Sequence, residues 1–112
     1  MRATINLEED RTVVRVDEDV VTENVEDFKH CIDEVLATRA NLPLYLDLGR
    51  IDYLCSTGVG IIAGAHRILR DHATELVITS PSERVARLFM VTRLDTVLRI
   101  LDRDRKGLPG QR

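Results

Sequence analysis

The sequence predicts a single α/β domain: a mixed, mostly parallel β-sheet flanked by helices, with an N-terminal hairpin. Strand-like apolar runs alternate with segments whose apolar residues recur at helical spacing, which favours parallel strands joined by right-handed crossovers. The chain has 112 residues, 44% hydrophobic and 31% charged. That size suits one hydrophobic core and leaves no room for a second. We therefore expect one domain over residues 1–112.

The N-terminal third has the pattern of a hairpin followed by a helix. A short strand around residues 4–7 and a β-branched run at 12–16 are separated by the polar turn 9–11. From Asn24 to about Thr38 apolar residues then recur at helical spacing, with charged residues between them. This spacing predicts an amphipathic helix.

The middle of the chain predicts a strand and a second helix. Residues 44–48 are mostly apolar, which is typical of a strand covered on both faces. The helix runs from about Ser56 to Asp71, and its inner side is expected to use Val59, Ile62, Ala63 and Leu69. It also contains Gly58, Gly60 and Gly64, which we interpret as positions of close backbone approach to the sheet.

The C-terminal third predicts another strand at 76–79 and a third helix that begins at Ser82 and ends near Thr92. Residues 94–101 are apolar enough to pack on the domain. Residues 102–112 are polar and contain glycine and proline, so we expect this tail to fray.

Composition argues against several classes of protein. Aromatic residues make up only 4% and tryptophan is absent, which disfavours a stacking platform for nucleic acid. Cys31 and Cys55 do not form a close-spaced pair, which suggests a reducing compartment. Charged residues begin too early for a signal peptide, and the longest apolar stretch, around 59–65, is too short to span a bilayer. We expect a cytoplasmic protein that neither inserts into membranes nor binds nucleic acid.

The most informative stretch places two hydroxyls, Ser56 and Thr57, at the start of the second helix. The first N–H groups of a helix have no partner within it and carry partial positive charge. A hydroxyl there is expected to cap the helix, and a phosphate there would be well received. Both an ordinary cap and a regulatory phosphorylation site fit this position.

Catalytic and metal-binding patterns are weak. Cys55 at a helix start could serve as a thiolate nucleophile, but a Cys-x5-Arg loop would require arginine where Ile61 stands. A small buried cysteine is the better interpretation. The three histidines, His30, His66 and His72, lack metal-ligand spacing, and we expect them on exposed helix faces.

Hydrolase and nucleotide-binding motifs are also missing. No Gly-x-Ser-x-Gly elbow surrounds Ser56. The glycines at 58–64 do not follow the Gly-x-Gly-x-x-Gly pattern of a nucleotide-binding loop. The sequence therefore predicts no enzymatic activity, no metal and no cofactor.

The strand at 44–48, the loop through Asp52 and the run Ser56-Thr57-Gly58-Val59-Gly60 resemble the STAS family. This is the fold of bacterial anti-sigma factor antagonists, whose signature is Asp-Ser-Ser-Gly-Leu-Gly. Residues 92–101 are similar to the family's closing Thr-Gly-Leu-Asp segment. The resemblance covers about residues 11–101, and the order of elements agrees throughout.

The resemblance implies a non-enzymatic, protein-binding switch. When unmodified, such a protein binds a serine kinase that is also the anti-sigma factor; phosphorylation of the signature's first hydroxyl, here Ser56, releases it, and a serine phosphatase restores it. A phosphate on the binding surface can abolish docking by repulsion and desolvation. The expected partner surface, which we call the 52–58 surface, consists of Asp52, Tyr53, Leu54, Cys55, Ser56, Thr57 and Gly58.

One residue departs from the signature. Cys55 stands where the family has an acidic residue, and Asp52 is near enough in sequence to substitute for it. Alternative roles are a STAS regulator or subunit of another system, such as a biofilm or stress-signalling scaffold or a lipid-transporter accessory subunit, without obligatory phosphorylation. A Cys55-dependent enzyme is a more distant alternative. The sequence leaves the oligomeric state open.

Overall fold

The computed structural model describes residues 1–102. Strands and helices alternate in the predicted order: β1 Ala3–Leu7, β2 Thr12–Val16, α1 Val25–Arg39, β3 Leu44–Asp47, α2 Ser56–Asp71, β4 Leu76–Thr79, α3 Glu83–Val91, a 3₁₀ turn Leu94–Thr96 and β5 Arg99–Leu101. The α/β class and the N-terminal hairpin are confirmed. The predicted frayed tail lies, apart from Asp102, outside the described residues.

The five strands form one sheet in the order β1-β2-β3-β4-β5. β1 pairs antiparallel with β2, and every later pairing is parallel. Each crossover advances by one strand in the same direction, so the right-handed rule places α1, α2 and α3 on one face of the sheet. The carboxyl ends of β2 to β5 meet at one edge, where the loops leading into α1, α2 and α3 lie side by side.

The two faces of the sheet differ in burial. Val14, Leu46, Ile78 and Ile100 are in register across the four parallel strands and are fully buried beneath the helices. On the opposite face of β3, Tyr45 and Asp47 are only half-buried. The expectation that β3 is covered on both faces is therefore wrong, because all three helices pack on one side.

The start of α3 matches its sequence signal. Ser82 is the N-cap, and its Oγ accepts a hydrogen bond from the Val85 N–H at 3.2 Å. Thr92 follows the last residue of the helix, as expected. Within residues 1–102 no helix has the length and apolar character needed to cross a membrane.

The inner face of α2 differs from the prediction at two positions. Val59, Ile62 and Leu69 are buried as expected, but Ala63 is half-exposed. His66, which we expected on an exposed face, is only 8% exposed. It follows Ile62 by four residues, a spacing that puts both on the face turned towards the sheet.

The glycines of α2 also differ from one another. A Cβ added at Gly58 would lie 2.7 Å from Leu54 Cδ1 and 3.2 Å from Val20 Cγ1. A Cβ at Gly60 or Gly64 would meet no atom within 4 Å. The predicted close approach to the sheet is therefore wrong at all three positions. Gly58 does lack room for a side chain, but the atoms it would meet belong to Val20 and Leu54, in the loops that precede α1 and α2.

Candidate functional site

The loop between β3 and α2 lies at the carboxyl edge of the sheet and combines buried anchors with exposed side chains. Ile51 and Leu54 are 2% and 3% exposed and belong to the hydrophobic core. Asp52 is exposed, and Tyr53 is 49% exposed. The apolar anchors fix the path of the chain and leave the carboxylate and the phenol facing solvent.

The loop before α1 holds this loop in place. The Val20 N–H donates to the Tyr53 carbonyl at 3.1 Å, and the Cys55 N–H donates to the Val20 carbonyl at 2.9 Å. Asp19 Oδ1 accepts from the N–H groups of Asp52 at 2.9 Å and Tyr53 at 3.3 Å. Four hydrogen bonds therefore fix the backbone that leads into α2.

Sequence reasoning missed Asp19. Its partners lie more than thirty residues further along the chain, and no local pattern marks such a pairing. The one sequence signal is that Asp19 follows closely after the predicted strand at 12–16, which places it at the carboxyl edge of the sheet.

Ser56 is the first residue of α2, and both Ser56 and Thr57 are exposed. The N-cap is Cys55, which makes no side-chain capping hydrogen bond. The expectation that a hydroxyl caps this helix is therefore wrong. The Cys55 N–H is bonded to Val20, which keeps Cys55 extended and places Ser56 one position inside the helix.

The start of α2 also lacks the usual compensating charge. The first turn of α1 contains Glu26 and Asp27, and that of α3 contains Glu83, whereas the first turn of α2 has no acidic residue. The partial positive charge of its N-terminus is not offset by side chains of that turn. A negatively charged group on Ser56 would be stabilised there.

Cys55, which the resemblance sets at the acidic position of the signature, is 8% exposed and belongs to the hydrophobic core. It behaves there as a small apolar group. Cys31 is half-buried, and burial, followed by the nearby Glu34 carboxylate, raises the pKa of its thiol. Both cysteines are free thiols. Residues 1–102 hold no group of three or more His, Cys, Asp or Glu side chains arranged for a metal ion.

A groove of about 390 Å³ runs between this loop and α3. Tyr53 and Leu54 form one wall, and α3 contributes the other with Val85, Leu88 and Val91. Asp52, Arg84 and Arg87 add charge to an otherwise apolar lining. Val91 is 74% exposed, so the apolar lining of the groove continues onto the protein surface.

The seven residues of the 52–58 surface are thus brought together but differ in accessibility. Asp52, Tyr53, Ser56 and Thr57 are exposed, whereas Leu54, Cys55 and Gly58 are buried. The sequence analysis did not foresee the contribution of α3. The one sequence signal for this contribution is that Val91 is apolar although it lies outside the buried face of α3.

A hairpin leading into a parallel sheet with the strand order β1-β2-β3-β4-β5 is a fold that this chain shares with solved structures of anti-sigma factor antagonists. Residues 3–104 match the STAS domain model. The chain belongs to the STAS domain family.

Several known proteins are similar to this chain over part or most of their length. The anti-sigma-B factor antagonist of Listeria monocytogenes is 37% identical over 67 residues, which are 60% of this chain and 59% of that protein. A solved structure from Thermotoga maritima, described as a putative anti-sigma factor antagonist, has a TM-score of 0.81 at 24% identity and covers 89% of this chain and 86% of its own. The Bacillus cell fate determinant SpoIIAA in its phosphorylated form has a TM-score of 0.70 at 18% identity, covering 92% and 94%. The chain thus matches about three fifths of the length of its curated relative, and the structures establish the fold.

Proposed function

We propose that this protein is a phosphorylation-controlled switch of the anti-sigma factor antagonist type. In the unmodified state the 52–58 surface binds an anti-sigma factor that is also a serine kinase. Phosphorylation of Ser56 releases the partner, and a serine phosphatase reverses the change. The protein itself performs no catalysis in this scheme.

The observation that carries the proposal is the position of Ser56. It is the exposed first residue of α2, and the resemblance noted in the sequence sets it at the first hydroxyl of the signature of the family to which the chain belongs. Its helix start has neither a side-chain cap nor an acidic residue in the first turn. These features support Ser56 as a residue that can accept a phosphate without loss of the fold. In addition, a protein of the same fold has been solved in a phosphorylated form.

The surroundings of Ser56 support its control of binding. The backbone of the preceding loop is fixed by Asp19 and Val20, so a partner meets a preorganised surface. A phosphate adds about 1.5 to 2 negative charges to that surface. On a close-packed interface this charge would be desolvated and left without a partner, which weakens docking.

The first test asks whether Ser56 is modified in cells. The intact mass of the protein isolated from its own cells is measured before and after phosphatase treatment. We expect a species heavier by one phosphate, mapped to Ser56 by fragmentation and absent from a Ser56→Ala variant. Thr57→Ala is the matched control and should keep the modification. Unmodified Ser56 under all growth conditions would contradict the proposal.

The second test concerns partner binding by the purified protein. Titration calorimetry with the candidate anti-sigma factor kinase from the same genome should give equal affinities for wild type and Ser56→Ala. Ser56→Asp should bind about a hundredfold more weakly, because the carboxylate loses its water when the partner covers it. This corresponds to a loss of about 2.7 kcal/mol in binding free energy. Thermal melts of both variants show that they are folded. Equal binding by the two variants would exclude the switch.

Cys55 favours a second candidate function. The acidic residue of the signature is absent here, and the residue in its place is buried. A STAS subunit that binds its partner without obligatory phosphorylation, as a scaffold or a lipid-transporter accessory subunit, is compatible with this replacement. In that case Ser56→Ala and Ser56→Asp bind the physiological partner alike.

A further inference from the structure

A second cavity, of about 460 Å³, lies between the C-terminal half of α2 and the segment that leads into β5. Its α2 wall includes His66, ten residues after Ser56, which corresponds to about 15 Å along the helix axis. None of the residues of the 52–58 surface lines it. It is therefore separate from the proposed partner surface.

His66 gives this cavity a buried hydrogen-bond donor. Its Nδ1 accepts from the Leu76 N–H at 3.2 Å, so the neutral ring carries its proton on Nε2. Burial, followed by the nearby Arg70 charge, lowers the pKa of His66 and keeps it neutral, against the smaller opposing effects of Glu75 and the Val97 carbonyl.

The Nε2–H group has no hydrogen-bond partner among residues 1–102. The Val97 carbonyl is near enough to raise the pKa of His66 slightly, but it does not meet the distance and angle of a hydrogen bond to Nε2. Nδ1 is engaged with β4, so Nε2 is the unpartnered ring nitrogen of a residue that lines the cavity. Nε2 itself has less than 1 Å² of exposed surface, so a ligand in the cavity reaches it through a small movement of the surrounding side chains. A buried donor without a partner is unfavourable, and a ligand that accepts its hydrogen bond would relieve this cost.

The remaining walls define what such a ligand would be. Arg67 and Arg70 line the cavity, and neither forms an ion pair within the described part of the chain. Asp71 is the single acidic residue of the lining. Leu94 and Val97 supply an apolar wall opposite α2.

We propose that this cavity is a binding site for a small organic anion, such as a carboxylate with a short apolar chain. The anionic head accepts from His66 Nε2 and pairs with Arg67 and Arg70, and the apolar body packs against Leu94 and Val97. A metal ion is disfavoured: ligation through Nε2 would move the proton to Nδ1, against the Leu76 N–H.

The test is an NMR titration of the isotope-labelled full chain with hexanoate, which follows the His66 ring nitrogens and the backbone amides of 94–98. We expect saturable shifts of both. Hexanamide has nearly the same shape without the charge and should bind about tenfold more weakly or worse. Inorganic phosphate, which lacks the apolar body, should also bind more weakly. An absence of saturable shifts, or equal binding of hexanoate and hexanamide, would overturn the proposal.

Variants separate this site from general destabilisation. His66→Asn keeps an acceptor for the Leu76 N–H and removes the Nε2–H donor, so hexanoate affinity should fall about tenfold while the fold persists. Arg70→Gln should weaken binding as well. Arg84→Gln, in the other groove, is the matched control and should leave affinity unchanged; loss of binding there would count against the site.

The site is independent of the switch. Ser56→Asp should leave hexanoate binding unchanged, so failure of either proposal leaves the other standing. A large effect of Ser56→Asp on hexanoate affinity would contradict the independence proposed here.

Discussion

The starts of α2 and α3 share a backbone geometry and differ in chemistry. Cys55 and Ser82 are the two N-caps, with φ and ψ of −70° and 163° and of −62° and 163°. Ser82 caps its helix through Oγ, whereas Cys55 forms no side-chain cap. The first residue of α3 is Glu83, and that of α2 is Ser56.

This difference separates a structural helix start from one suited to modification. At the start of α3, Ser82 accepts a hydrogen bond from the Val85 N–H, and the Glu83 carboxylate complements the helix dipole. The α2 start leaves both roles unfilled and exposes Ser56 at the equivalent position. A phosphate on Ser56 would supply the negative charge that α3 already has.

The largest effect is expected at the third residue of each helix, where α2 has Gly58 and α3 has Val85. Gly58→Ala should destabilise the protein by about 1–3 kcal/mol because its Cβ would crowd Leu54 and Val20. The matched Gly60→Ala change should stabilise it by about 0.5–1 kcal/mol through helix propensity alone. Urea denaturation of both variants measures the free energy of unfolding, which should fall for Gly58→Ala and rise for Gly60→Ala. Stabilisation by Gly58→Ala would show that the loops around this helix start are not closely packed.

A smaller effect is expected at the N-caps. Cys55→Ser places a hydroxyl where Ser82 has one, and it should accept from the Gly58 N–H and stabilise the protein by about 1 kcal/mol. Ser82→Ala should have the opposite effect, again about 1 kcal/mol. Thermal unfolding of the two variants compares them directly. If Cys55→Ser is destabilising, burial of the thiol contributes more than a cap would.

The smallest effect is expected at the first helical residue. Ser56→Asp should stabilise the isolated protein by about 0.3–1 kcal/mol, and Glu83→Gln should destabilise it by a similar amount, because each changes the charge near a helix N-terminus. Both effects should shrink as salt is raised. Chemical denaturation at low and high ionic strength measures them. Destabilisation by Ser56→Asp would mean that the α2 start does not favour a negative charge.

Much of the fold could be predicted because its signals are local. The β-branched run of β2, the helical spacing in α1 and the Ser82 cap are each readable within a few residues. The family resemblance also located Ser56 and the loop before it. The role of Ser56 remains a prediction that the two experiments above address.

Most errors arose where distant segments meet. Gly58 could not be distinguished from Gly60 in sequence, because its crowding depends on how Leu54 of the preceding loop folds against the helix start and on Val20, 38 residues earlier. His66 follows the predicted inner residue Ile62 by four positions, so spacing within α2 could have indicated its burial; what required the tertiary structure was its acceptor role towards the Leu76 N–H. The expected cover on the outer face of β3 failed because every crossover has the same hand and direction.

The sequence by itself determined the α/β class, the order of its elements and the placement of Ser56 at the start of a helix, because periodicity and capping act over a few neighbouring residues. The tertiary structure decided which residue occupies the N-cap of α2, since the Val20 carbonyl holds the Cys55 N–H in an extended segment. It also decided that α3 joins the groove beside the 52–58 surface and that His66, which lines a cavity, keeps a buried Nε2 without a hydrogen-bond partner. These outcomes depend on packing between segments far apart in the chain, which no local pattern encodes.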